Sequence, residues 1–127
     1  MKRFMFFFRA VIIFLIIHIL FMLLGAYNYF SWLDIPMHFL GGAIVAYTAT
    51  LFLKHLKKDH QIEIYEKWIS LIVIVSFVAL IAVFWEFLEF FLKEFFGANT
   101  QPSIGDTMAD FFFGIVGAVV GWFAYGR

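Results

Sequence analysis

Residues 68–92 read WISLIVIVSFVALIAVFWEFLEFFL. About 20 mostly apolar residues suffice for a helix to cross the hydrocarbon core of a bilayer. This run is longer, and it carries no charge until Glu86 and Glu89 near its end. It is read as a transmembrane helix. Working outward, three more segments have the same character: about 4–24, 35–53 and 106–125. The 127 residues are 65% hydrophobic, include 20 Phe and have a mean hydropathy of +0.96. A soluble domain of this size leaves much of its area in water and has nowhere to hide so much apolar surface. The expected fold is all-α: a polytopic membrane protein with residues 1–127 as one domain, its four transmembrane helices (about 4–24, 35–53, 68–92 and 106–125) packed in a compact bundle. The opening MKR before an apolar run has the look of a signal peptide, but the run is too long and LLGAYNYF offers no A-x-A cleavage pattern, so the segment is read as a retained helix. No low-complexity tract or internal repeat stands out. With no cysteine, disulfides and thiolate metal sites are excluded.

Charge sorts along this layout. Lysine and arginine mark the cytoplasmic side of a membrane protein. Lys2, Arg3 and Arg9 begin the first helix, Lys54, Lys57, Lys58 and Lys67 lie between the second and third, and Arg127 ends the fourth. Of the nine basic residues only Lys93 falls on the other side. Both termini and the 54–67 loop are therefore expected to be cytoplasmic. His55 and His60 belong to that basic loop, which suits anionic headgroups. Nothing in it points to nucleic acid. The acids divide differently: Asp59, Glu63 and Glu66 share the basic loop, while Asp34, Glu86, Glu89, Glu94, Asp106 and Asp110 collect toward the outer end. Trp32, Trp68, Trp85 and Trp122 fall near the proposed helix ends, where aromatic belts form.

Three helix ends each offer two polar side chains. The second helix opens DIPMHFLGG, with Asp34 and His38 four apart and so on one face. The third ends WEFLEFF, with Glu86 and Glu89 three apart, and Glu86 roughly 9 Å inside the helix end. The fourth opens GDTMADFFFG, with Asp106 and Asp110 four apart, followed by Gly114, Gly117 and Gly121. The glycines, with Gly41 and Gly42, permit close helix approach. An ionisable residue set into a membrane span marks a functional site by default. Converging carboxylates repel one another, and no buried base is at hand to neutralise them. Protons or a divalent cation must do so. Five carboxylates and an imidazole suit Mn²⁺, Fe²⁺, Zn²⁺ or Mg²⁺ and exceed what a single ion needs, so one or two ions are expected on Asp34, His38, Glu86, Glu89, Asp106 and Asp110. His18, at similar depth on the first helix, is either a second imidazole for the site or a hydrogen-bonded packing residue.

Simpler readings exist for several of these. Asp34 fits an N-cap ahead of Pro36. Asp106 fits a cap, or the third position of a capping box opened by Ser103. Glu89 fits an i,i+4 pair with Lys93, and Glu94 a solvated surface position. Glu86, His38 and Asp110 have apolar neighbours on both sides and fit no such role, unless they line a water-filled vestibule.

The motifs Asp34-x-x-x-His38-x-x-Gly41-Gly42, Trp85-Glu86-x-x-Glu89 and Asp106-Thr107-x-x-Asp110-x-x-x-Gly114 resemble, in order, those of the YjdF-type (DUF2238-like) small bacterial inner-membrane proteins. The resemblance covers about residues 34–121. It implies a multi-pass protein of the bacterial cytoplasmic (inner) membrane and weight on those six positions, but no reaction. A looser similarity links the chain to VanZ-like proteins, which are associated with glycopeptide antibiotic resistance. This chain lacks the arginine that likeness would put in the third-helix region, and resistance is not carried across.

Two function classes follow. One is a metal-dependent hydrolase or phosphotransferase on a lipid or envelope substrate, with Glu89 as general base on a metal-bound water. The other is binding or transport of a cation or proton, in which a homo-oligomer would complete the path. A milder reading is a metal-stabilised structural membrane protein without catalysis. The loop at 92–105, with its run KEFFGANTQPSIG, is expected to fold over the site.

Overall fold

The computed structural model describes residues 2–58, 67–98 and 100–125, with side chains from Phe8 onward. All regular structure among them is helical. Helix α1 spans Lys2–Leu23, α2 is a single turn at Ala26–Tyr29, and a 3₁₀ turn at Ser31–Leu33 leads into α3 (Asp34–Lys58). Helix α4 spans Lys67–Phe96 and α5 Ile104–Tyr125. The basic-loop residues Asp59, His60, Glu63 and Glu66 lie outside the described residues, as do Arg127 and the side chains of Lys2 and Arg3.

The expected helices are all present; the first and fourth shift by one or two residues, the second runs on to Lys58 and the third to Phe96. Ser31–Lys58, Lys67–Phe96 and Ile104–Tyr125 are long and apolar enough to span a bilayer, with Phe8–Leu23 as a shorter apolar helix. The second span starts before position 35 because the 3₁₀ turn runs straight into α3. The third runs past 92. Its 30 residues make a rod of about 45 Å, longer than the roughly 30 Å hydrocarbon core. Glu86 consequently sits ten residues, about 15 Å, inside the end of its helix, deeper than the sequence implies.

Two left-handed glycines make the outer turns. Gly25, at φ 68°, closes α1. Gly97, at φ 67°, ends α4, and its N–H returns to the Lys93 carbonyl at 3.0 Å, a left-handed C-cap. A side chain with a Cβ is strained at either position.

Helices α3 and α5 run parallel and form the closest pair, with α4 antiparallel to both. A Cβ on Gly42 would collide with the Gly114 carbonyl, one on Gly117 with the Phe39 carbonyl, and one on Gly121 with the Ala43 carbonyl. The backbones are therefore in direct contact, as small-residue helix pairs in membranes require. Below this seam Ala46, Ile74, Val78, Ala118 and Trp122 form the buried core. Trp122 is thus not a belt residue: its ring is buried, stacks near Trp68 and donates Nε1–H to Ser70 Oγ at 3.3 Å. Trp32 and Trp68 are exposed near helix ends as a belt demands. The outward faces are oil, including Phe77, Leu80, Phe84 and Phe87 on α4. At the opposite end Lys54 donates to the Tyr125 carbonyl at 2.6 Å, and Lys67 lies over the Trp122 ring.

The seam predicts an asymmetry. A Cβ on Gly114 meets only His38 O, at an ordinary 3.8 Å. Gly42→Ala and Gly117→Ala should each destabilise the bundle by about 1–3 kcal/mol or more, while Gly114→Ala should be near neutral. Thermal unfolding of the three variants in one detergent checks this; equal losses would contradict a backbone seam.

Candidate functional site

The seam sets the site's geometry. By pressing the first turns of α3 against those of α5 it carries His38 to Asp110: Nε2 to Oδ1 is 3.6 Å. One turn earlier on α3, Asp34 Oδ1 is 3.4 Å from the same Nε2. Asp34 has helical backbone angles, φ −62° and ψ −50°, whereas an N-cap is non-helical. It is an in-helix residue facing His38, and the capping alternative does not hold.

From the other side α4 delivers Glu86 and Glu89. Both are buried, 5% and 7% exposed, and Asp110 is 2% exposed. Two sets of three donors result: Asp34, His38 and Asp110, and Glu86, Glu89 and Asp110. Within each set one ligand atom per residue lies within 4.8 Å of the others. Ligand atoms on one small divalent ion with bonds of 2.0–2.1 Å lie no more than about 4.2 Å apart, so either set would have to draw together to hold one. Asp110 belongs to both.

The cluster is under-satisfied. Both oxygens of Asp110, Oε1 of Glu86 and Nε2 of His38 are buried without a hydrogen-bond partner. Such groups normally find partners, and each unmet one costs about 1–3 kcal/mol, more if charged. The donors that do reach the cluster are neutral. Gln101 Nε2 donates to Glu86 Oε2 at 3.0 Å, and Trp85 Nε1 donates to Glu89 Oε1 at 2.8 Å. Lys93 does not pair with Glu89; its ammonium donates to the Gln101 carbonyl at 2.6 Å and so pins the loop. Thr100 Oγ1 donates to the Glu89 carbonyl at 2.9 Å. The loop after α4 folds over the site as expected, and Lys93, in the last turn of α4, holds that loop.

Asp106 stands apart. It lies in the first turn of α5, where its N–H bonds to Ser103 Oγ at 3.1 Å, so Ser103 is the cap. Its carboxylate is outside both three-residue sets and lines a cavity of about 620 Å³ above them. Asp34, Glu89, Tyr27, Ser31 and Thr100 share that wall. Glu94 is exposed.

His18 takes the packing role. It is buried, its ring meets Trp85 edge-on at 4.8 Å, and a 2.7 Å hydrogen bond joins Nδ1 to Tyr27 Oη. Burial, then the carboxylates of Asp34 and Glu89, pushes the Tyr27 phenol up from its ordinary value, so Tyr27 stays a neutral hydroxyl able to donate. Tyr27, Gln101 and Thr100 carried no signal in the sequence, because their partners lie nine to fifteen residues away across turns. Trp85 to Glu89 is an i,i+4 pair that spacing alone makes visible.

Removing one of the neutral donors tests the arrangement. Gln101→Ala strips Glu86 Oε2 and Trp85→Phe strips Glu89 Oε1, each leaving a buried carboxylate oxygen bare. Each should cost about 1–3 kcal/mol in thermal unfolding, while the exposed Glu94→Gln changes nothing.

Comparison with known proteins gives no match among the curated proteins and none among the solved structures. The family model that does match carries the YjdF-type resemblance, leaves the VanZ-like one without support, and takes in the first helix as well as the other three. Matching it over residues 3–127, the chain belongs to the family described as predicted membrane protein (DUF2238).

Proposed function

We propose that the protein is a metal-dependent hydrolase of the bacterial cytoplasmic membrane, acting on a lipid or envelope ester at the outer face, with two divalent ions held around Asp110. The observation that carries this reading is Asp110 itself: buried, with neither oxygen hydrogen-bonded and only His38 within ion-pair distance, and common to two sets of potential ligands. Asp110, common to both sets, would be the shared ligand of such a two-ion centre. Asp34 and His38 would complete one ion's ligands, Glu86 and Glu89 the other's. Imidazole with carboxylates suits Mn²⁺, Fe²⁺ or Zn²⁺, and the all-carboxylate set suits Mn²⁺ or Mg²⁺. Asp106, outside both sets, would meet a metal only through water or substrate.

Such ions supply charge neutralisation and an acidified water. The chain supplies the rest. Glu89 faces the polar cavity; with the oxygen that accepts from Trp85 also serving as its ligand atom, its second oxygen would act as general base. In hydrolysis the water oxygen bonds to the electrophilic centre, its proton passes to Glu89, and the leaving oxygen takes that proton as its bond breaks. Water is favoured over a protein nucleophile because Ser103 is committed to capping α5 and, among the described residues, no base is hydrogen-bonded to the Ser31 hydroxyl on the cavity wall. This favours hydrolysis over phosphoryl transfer through a covalent enzyme. The apolar core of Ala46, Ile74, Val78, Ala118 and Trp122 beneath the site disfavours a through-path for ions in one protomer.

Detergent-purified protein should contain about two equivalents of metal per chain by elemental analysis. Asp110→Ala should lose both and His38→Ala one. Loaded protein should release product from a panel of lipid phosphate and carboxylate esters, with EDTA abolishing turnover. Glu89→Gln should lower kcat by about 10²–10⁴. Stoichiometric metal with no turnover on any ester would support a structural centre, and metal-free protein after incubation with Mn²⁺, Zn²⁺ and Mg²⁺ would remove the metal reading and return cation or proton transport to the front.

A further inference from the structure

We infer that an apolar slot beside the acidic cluster seats one hydrocarbon chain of a membrane lipid, whose headgroup occupies the polar cavity. The fate of that headgroup rests on the hydrolase reading; the seating of the chain does not. The slot has a volume of about 300 Å³ and is lined from α1, α3 and α4 by Val11, Phe14, Val45, Val78, Ile81 and Ala82. These helices run alternately up and down, so Val11, Val45 and Val78 mark its inner end. His18, His38 and Trp85, which also line it, mark its outer end. Between those levels lie seven residues of each helix, roughly 10 Å.

The slot exists for sequence reasons. Gly41, Gly42 and Gly114 contribute no side chains to its floor. Among the described residues α1 and α4 have no extended packing against each other, and the His18–Trp85 contact bridges them at the top. Below that bridge Ile81 both lines the slot and is exposed on the outer face of α4, so the slot is reached sideways from the bilayer.

Its occupant is defined by chemistry at each end. The walls are aliphatic and aromatic, and such a cavity offers water no partners and takes an apolar guest. The outer end adjoins the polar cavity. His18 also lines the 620 Å³ cavity, and His38 reaches across to Asp34 and Asp110. A ligand that fits both is apolar along its length and polar at one tip, which is one lipid chain with its headgroup. A wholly polar substrate would leave the slot unused, and a wholly apolar one would leave the cluster unused.

The test uses the full chain in nanodiscs of plain phospholipid doped with a phospholipid carrying a photoreactive diazirine at one chain terminus. After irradiation, mass spectrometry locates the adducts. The expected result is labelling of Val11, Val45, Val78 or Ala82. Ala82→Phe should abolish it without changing labelling of the outward Phe77, Leu80 and Phe84. Phe14→Ala, which widens the slot, should increase it and decides the matter if Ala82→Phe fails to give a helical, monodisperse protein. Labels confined to the outward residues in wild type, or slot labels indifferent to both variants, overturn the proposal. Running wild type with EDTA and with Mn²⁺ separates the two readings: slot labelling without metal or turnover sinks the hydrolase alone, and stoichiometric metal without slot labelling sinks the slot alone.

Discussion

The acidic end of this bundle depends on the direct contact of two helix backbones. Gly42 against Gly114 and Gly117 against Phe39 leave no room for even a methyl group between α3 and α5. Lipid provides no hydrophobic drive between helices, so close van der Waals packing of this kind has to supply cohesion. The same contact determines the chemistry. With the seam closed, the imidazole of α3 and the carboxylate of α5 are 3.6 Å apart.

The second constraint is charge in a poor dielectric. Asp34, Glu86, Glu89 and Asp110 surround a single histidine, and among the described residues no lysine or arginine pairs with them. Taking a carboxylate out of water costs several kcal/mol even after relaxation. A protein that needed only stability would replace such groups by apolar ones. Here a tryptophan and a glutamine each offer one neutral hydrogen bond, while other ligand-capable atoms stay bare. This incompletely satisfied polar cluster beside a roomy cavity is the observation on which the proposed cation centre rests. The apolar slot below and the polar cavity above give that centre an amphiphile-shaped surrounding.

The spans were legible because a long apolar run has few alternatives, and the acid pairs because i,i+3 and i,i+4 spacings put residues on one face. Even convergence of His38, Glu86, Glu89 and Asp110 could be read, since alternating helices must bring those ends together. Other features were not legible. Asp34 and Asp106 carry the same Asp-before-helix signature and both lie in a first turn, yet Asp34 has His38 one turn on along its own helix, while Asp106 follows the Ser103 cap and lies outside both donor sets. Glu89 looked ready to pair with Lys93, but that lysine is taken by a loop carbonyl no local rule specifies. Trp122 looked like a belt residue because sequence gives its height in the membrane and not the direction it faces.

The most direct test of the central claim, that Asp110 joins two cations, is electron paramagnetic resonance of the Mn²⁺-loaded protein. Two ions bridged by one carboxylate are exchange-coupled, so the account predicts a broad, many-line spectrum in wild type that Asp110→Asn abolishes. A simple six-line spectrum of isolated Mn²⁺ in wild type, unchanged in Asp110→Asn, would contradict it.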